Sequence, residues 1–125
     1  MRQFRQAIEA GDLDAAISLL SDDVVFRSPV VYKPYVGKDA LAVILTTVAT
    51  VFENFRYTRE IGGGSDHALM FAATVDGLQL EGCDFLHTNA EGLIDEFTVM
   101  LRPLKAVQAF AAKMGAALEA AQQGS

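Results

Sequence analysis

FENFRYTREIGGGSDHALMFAATVDGLQLEGCDFLHTNAEGLIDEFTVML, residues 52–101, alternates apolar and polar side chains over most of its length, and this run decides the fold. Side chains of a strand point to opposite faces in turn, so alternation marks a half-buried sheet. In 52–61, Phe55, Tyr57 and Ile61 fall on one face, and Asn54, Arg56, Thr58 and Glu60 on the other. Gly62-Gly63-Gly64-Ser65-Asp66 is a turn. A strand over 67–75 follows, then Asp76-Gly77, a strong two-residue hairpin signal. A strand over 78–88, a turn at Asn89-Ala90-Glu91-Gly92 and a strand over 93–101 complete a meander of hairpins.

Helical spacing dominates on either side of the run. Residues 2–10 place Phe4, Ala7 and Ile8 on one face, and Gly11 ends that helix. Asp12 stands where an N-cap is wanted, and Leu13, Ala16, Ile17 and Leu20 follow as the stripe of a second helix. Ser21, Asp22 and Asp23 form its exit, and Val24 to Ser28 reads as a short strand stopped by Pro29. Val30–Val36 is too interrupted by proline for regular structure, and Gly37 opens a third helix over 38–49. Pro103 suits the first position of a last helix, with Leu104, Val107, Ala111, Met114 and Leu118 as its stripe. Gln122 to Ser125 read as a frayed end. Helices that precede a long antiparallel run indicate an α+β fold and not a doubly wound parallel sheet. The expected form is a cone: the N-terminal helices and the C-terminal helix pack on one face of a curved antiparallel sheet and enclose an apolar pocket.

Composition sets the outer limits. The 125 residues fit one domain, 1–125, and no repeat or linker divides them. An apolar fraction of 51% and a mean hydropathy of +0.24 leave apolar surface for a pocket, an interface or both. Sixteen acids against ten Lys and Arg give a net charge of −6, so no basic face for nucleic acid is expected. No apolar run reaches the roughly 18 residues of a membrane helix. The opening MRQFRQAIEAGDL lacks the apolar core of a signal peptide, and with the single cysteine, Cys83, the expected location is the cytoplasm.

Among residues able to carry chemistry, Asp84 is the most informative. It shares a strand face with Leu78, Leu80, Gly82 and Leu86, whereas Gln79, Glu81, Cys83, Phe85 and His87 share the other. A carboxyl among leucines has its charged form penalised and its pKa raised. It then serves as a hydrogen-bond donor or as a poised acid or base; the plainer alternative is a buried Asp satisfied by a hydroxyl or backbone group. The pattern does not say which of Asp95 and Glu96 points inward. His67 follows a Gly-rich turn, His87 lies on the Phe85 face, and no HxxxH or CxxC spacing calls for a metal. Cys83 has no evident base, Ser28 has no GxSxG context, and Gly62–Gly64 leads to a strand and so is no phosphate loop. Tyr32 and Tyr35 either line a pocket mouth or are loop packing.

Three segments taken together resemble a known family. GDLDAAISLLSDDVVFRSPV (11–30), GKDALAVI (37–44) and LEGCDFLHTNAEGLIDEF (80–97) resemble the nuclear transport factor 2-like superfamily, nearest its SnoaL-like and ketosteroid isomerase-like branches. The resemblance covers essentially the whole chain and implies the cone fold, a cystatin-like roll, often dimeric through the sheet. It also implies a wide choice of functions, among them isomerisation, cyclisation, epoxide hydrolysis, dehydration and non-enzymatic binding. Set beside ketosteroid isomerase, the general-base position is Ser28 and the first-helix tyrosine position is Phe4; the position of the protonated acid of the oxyanion hole is Asp84. The water-activating Asp-Arg-Asp set of the epoxide hydrolases finds no match, since Arg56 and Arg59 have no evident partners. The expectation is therefore a protein that binds a small, largely apolar molecule in the cone, with Asp84 as anchor or acid/base and Phe26, Ser28 and Phe97 lining the cavity. Any chemistry would be cofactor-independent and of isomerase, cyclase or hydrolase type, without conventional ketosteroid isomerisation. The alternative is a non-catalytic binding or assembly domain. Cys83 and Phe85 on the outer sheet face lead to the expectation of a homodimer through that face.

Overall fold

Two short helices, α1 (Arg2–Glu9) and α2 (Leu13–Ser18), lead into β1 (Leu20–Arg27) and β2 (Tyr35–Val36). Then come α3 (Lys38–Val51), the meander β3 (Glu53–Gly63), β4 (Asp66–Val75), β5 (Leu78–Thr88) and β6 (Ile94–Arg102), and α4 (Leu104–Gln123). This is a computed structural model, and it describes residues 1–123. Of the run read as a frayed end, Gln122 and Gln123 belong to α4, and Gly124 and Ser125 lie outside the described residues. The strands form one curved, unclosed sheet in the order β2-β1-β6-β5-β4-β3. The fold is α+β, with the helices covering the inner face.

Local chemistry accounts for the junctions. The Asp12 carboxylate accepts the Ala15 amide at 3.1 Å and so caps α2. Asp76 and Gly77 both take positive φ, 52° and 75°, as a tight hairpin with the twist of its strands requires. Asn89 Oδ1 accepts the amides of Glu91 and Leu93, each at 3.0 Å, and closes the β5–β6 turn.

Several expectations are corrected. Leu20, read as the last residue of a helical stripe, begins β1 instead, because it is drawn into the sheet opposite Ile94. The spacing of Leu13, Ala16, Ile17 and Leu20 cannot by itself distinguish a helix that continues from one that stops. β1 lies parallel to β6, so the sheet is antiparallel everywhere except at this junction. The segment read as irregular contains β2, which pairs Tyr35 and Val36 with Phe26 and Val25. Pro34 does not prevent this, because β2 is an edge strand. The buried side of α4 is Ala106, Phe110 and Met114, and Leu104 is exposed.

Two bulges change the faces of side chains. In β3 the register shifts between Tyr57 and Arg59, so Tyr57 pairs with inward Phe71 but Ile61 pairs with outward Ala68. Ile61 is therefore on the outer face, not with Phe55 and Tyr57. In β6 a shift beside His87 leaves Asp95 as the extra residue.

The core fills the cone from both layers. Phe97 of β6 meets Phe4 of α1 and Phe26 of β1 edge-on, each with centroids 5.6 Å apart. On β5, Gly82 is the one inner position without a side chain, because a Cβ there would collide with Phe71 and Leu101. Its absence lets the Phe71 ring lie across the strand.

Candidate ligand-binding site

The helices do not fill the cone completely. They leave a cavity of about 440 Å³, within the range of small-molecule sites. Its wall is mostly aromatic and aliphatic, and its polar side chains are Ser28, Tyr35, Tyr57 and Asp84.

Asp84 sits in the middle of β5, between Leu69 of β4 and Val99 of β6. Strand alternation turns it inward with Leu80, Gly82 and Leu86, all buried. Only 6% of its surface is exposed. Burial pushes its carboxyl up from 3.8 to about 7, and the Tyr57 hydrogen bond pulls the other way. Tyr57 Oη donates to Asp84 Oδ2 at 3.1 Å. The same burial, with the nearby Asp84 charge, holds the Tyr57 phenol well above its ordinary value, so Tyr57 stays protonated. Asp84 Oδ1 has no hydrogen-bond partner among the described residues.

Phe26, Ser28, Phe97 and Asp84 all line this cavity. Ser28 Oγ accepts the Val30 amide at 3.1 Å, which shapes the loop and offers no base. Phe4 is wholly buried and also lines the wall. The two loop tyrosines separate: Tyr35 lines the cavity beside Phe26, and Tyr32 is fully exposed. Tyr57 is the wall residue bonded to Asp84 that sequence reasoning missed. The available signal was its place as the only hydroxyl among inward residues of β3.

The opposite face carries a separate cluster. The β6 bulge turns Asp95 toward His87, and Glu96 follows outward, so neither acid faces the cavity. His87 Nδ1 lies 2.6 Å from Asp95 Oδ1 and 3.9 Å from Glu96 Oε2. The Asp95 hydrogen bond is the main reason the imidazole is held above its ordinary pKa. Glu96 is also paired with Arg27 at 3.3 Å. Sequence spacing does not bring these three groups together. Cys83 is half-buried on this face and its thiol is pushed up by burial. Arg56 bonds the Asn54 carbonyl, and Arg59 is exposed.

The family model for the SnoaL-like domain matches residues 1–97. The chain belongs to the SnoaL-like domain family. Its SnoaL-like match and its likeness to a steroid delta-isomerase together support the nuclear transport factor 2-like superfamily. It is 37% identical to a steroid delta-isomerase from Pseudomonas aeruginosa, with a TM-score of 0.93 over 98% of this chain and 90% of that one. It is 38% identical to an uncharacterised bacterial protein of cystatin-like fold from Silicibacter pomeroyi DSS-3, with a TM-score of 0.87 over 92% of this chain and 82% of the other. A protein of cystatin-like fold from Xanthomonas campestris, at 22% identity, shares the fold, with a TM-score of 0.70 over 87% and 92% of the two chains. A comparison with curated proteins yields no match. No helix among the described residues of this SnoaL-like domain is long and apolar enough to cross a membrane.

Proposed function

We propose that the protein binds a small, largely apolar molecule in the cone cavity, with Asp84 as the polar anchor, and that it works as a homodimer through the outer sheet face. The observation that carries the first part is a buried carboxyl with one free oxygen at the wall of an aromatic cavity. A buried acid without a counter-ion destabilises the fold unless it is used, and its value of about 7 suits proton transfer at neutral pH. Any reaction is then acid/base chemistry without a cofactor, of isomerase, cyclase or hydrolase type. The likeness to the steroid delta-isomerase supports the isomerase type. Conventional ketosteroid isomerisation does not suit the site, because a serine hydroxyl held by a backbone amide is no substitute for a carboxylate base. A non-catalytic binding domain remains the alternative within the same cavity.

The test is occupancy. Ala111 of α4 lines the cavity from a half-buried position. Ala111→Trp fills the space from a wall that has room to adjust. Mass spectrometry of the denatured wild type should recover an apolar small molecule, and the variant should release none. Equal recovery from both, or no uptake of a naphthalene-based fluorescent probe by the wild type, refutes the binding reading.

Exposed apolar side chains support the dimer. Ile61, Phe85 and Met100 are 50%, 43% and 59% exposed on one sheet face, beside Ala68, Met70 and Cys83. A contiguous apolar patch of this kind on a sheet marks an interface. Sedimentation at micromolar concentration should give a dimer for the wild type and a monomer for Phe85→Glu. A monomeric wild type rules the assembly out.

A further inference from the structure

We infer that the molecule taken by this cavity carries a protonated amine, seated on Asp84 Oδ1 among aromatic rings. The inference rests on the cavity reading above and names the ligand's polar group.

Among the described residues the charge of the wall has one sign, that of Asp84. No lysine, arginine or histidine is among the lining residues. An anionic ligand finds no counter-ion there and meets Asp84 instead. Tyr57 directs its O–H at Asp84 Oδ2, which stabilises the carboxylate and leaves the phenol proton already engaged. Ser28 Oγ accepts the Val30 amide and keeps its own O–H, and Tyr35 adds another hydroxyl to the wall; both are neutral and offer an ion nothing to balance. What the dyad presents to the cavity is Oδ1, an acceptor on a side chain more than nine-tenths buried, so the complementary ligand group is a donor. A carbonyl ligand gains a hydrogen bond from Asp84 only when Asp84 is protonated, and otherwise meets only the neutral Ser28 and Tyr35 hydroxyls.

Aromatic rings pack around Tyr57, the partner of that carboxyl. Phe55 touches Tyr57 edge-on at 5.0 Å and Phe71 at 4.9 Å, and Tyr57 and Phe71 lie 6.4 Å apart. Phe52 and Phe110 stack at 5.0 Å and extend the wall. Ring faces attract an ammonium most when water is excluded, and a buried carboxylate offsets the amine's lost hydration. The net charge of −6 favours approach of a cation to the mouth. Other charges near the dyad are few: Arg5 of α1 lies over the Tyr57 ring at 5.9 Å, Glu9 acts on Tyr57 from the same helix, and Cys83 points to the other face.

The probes are naphthylmethylamine, naphthylmethanol and naphthaldehyde, which share one apolar body and differ in the polar group. Binding is read by calorimetry on the full-length protein. At pH about 8 the amine should bind at least about tenfold tighter than the alcohol or aldehyde. Its affinity should rise between pH about 6 and 8, as Asp84 ionises, while the aldehyde's falls. Asp84→Asn should abolish the amine's advantage over the alcohol. Alcohol or aldehyde binding as tight as the amine's overturns the amine and leaves the cavity reading standing, and so does an amine preference that survives in Asp84→Asn. If none of the three binds the wild type, both readings fall.

Discussion

Asp84→Asn should flatten the pH dependence of folding stability between about pH 4 and 8. Burial raises the carboxyl from 3.8 to about 7 in the folded protein, and the unfolded chain keeps the ordinary value. The unfolded chain therefore loses its proton first as pH rises. Neutral Asp84 contributes stability that is fully present below about 3.8 and is lost as pH climbs through about 7. A rise of that size corresponds to roughly 4 kcal/mol across the window. His87 also has a raised value and adds a slope of the same sign in this window, but its causes are Asp95, Asp66 and Glu96, so the asparagine variant retains it; Cys83 and Tyr57 titrate above the window. The difference between the two stability curves isolates Asp84. Near neutral pH the variant should be as stable as wild type or more so, because it keeps a donor and an acceptor for Tyr57 and no longer buries a charge. Any proton transfer by the protein should cease. Parallel curves for wild type and variant, or a carboxyl carbon titrating near the free value by NMR, would show that Asp84 is solvated.

Phe97→Ala should cost about 3–5 kcal/mol of stability, read as a lower denaturant midpoint with unchanged slope. Phe97 is buried between the rings of Phe4 and Phe26 and also lines the cavity. Its removal deletes both edge-on contacts and joins new empty space to the old. α1 and β1 approach it from different directions and cannot both collapse onto an alanine. Phe97→Leu should lose much less, since most of the volume is kept. An alanine variant within about 1 kcal/mol of wild type would mean that the centre of the cone is already loose.

The inner face of β5 was legible because a period of two needs no tertiary information. Leu80, Gly82, Asp84 and Leu86 alternate without interruption, and the strand has no bulge until His87. The same rule misplaced Ile61, because a bulge beside Tyr57 adds one residue and reverses every later side chain. Nothing local announces that residue. Asp95 and Glu96 were ambiguous for the same reason. The Tyr57–Asp84 bond joins residues 27 apart across two hairpins, so it required the register of β3 on β4 and of β4 on β5. β2 has two residues, too few to show any period, and the parallel pairing of β1 with β6 is set wholly by packing. Leu104, read on the α4 stripe, shows that helical spacing selects a stripe but not how the helix is rotated against its sheet.

The register shifts of β3 also bear on how the chain avoids its own kind. β3 is the outermost strand on its side of the sheet, and 11 residues long it offers a long row of unpaired amides and carbonyls. A straight edge of that length is a template for fibrous stacking. Here the shifts between Glu53 and Arg56 and between Tyr57 and Arg59 kink the row, and Arg56, Arg59 and Glu60 stand exposed along it. An incoming strand would find neither a continuous ladder nor an uncharged border. Copies of this chain are thus steered away from open-ended edge growth along β3, which is compatible with the proposed closed pairing through the broad face of the sheet.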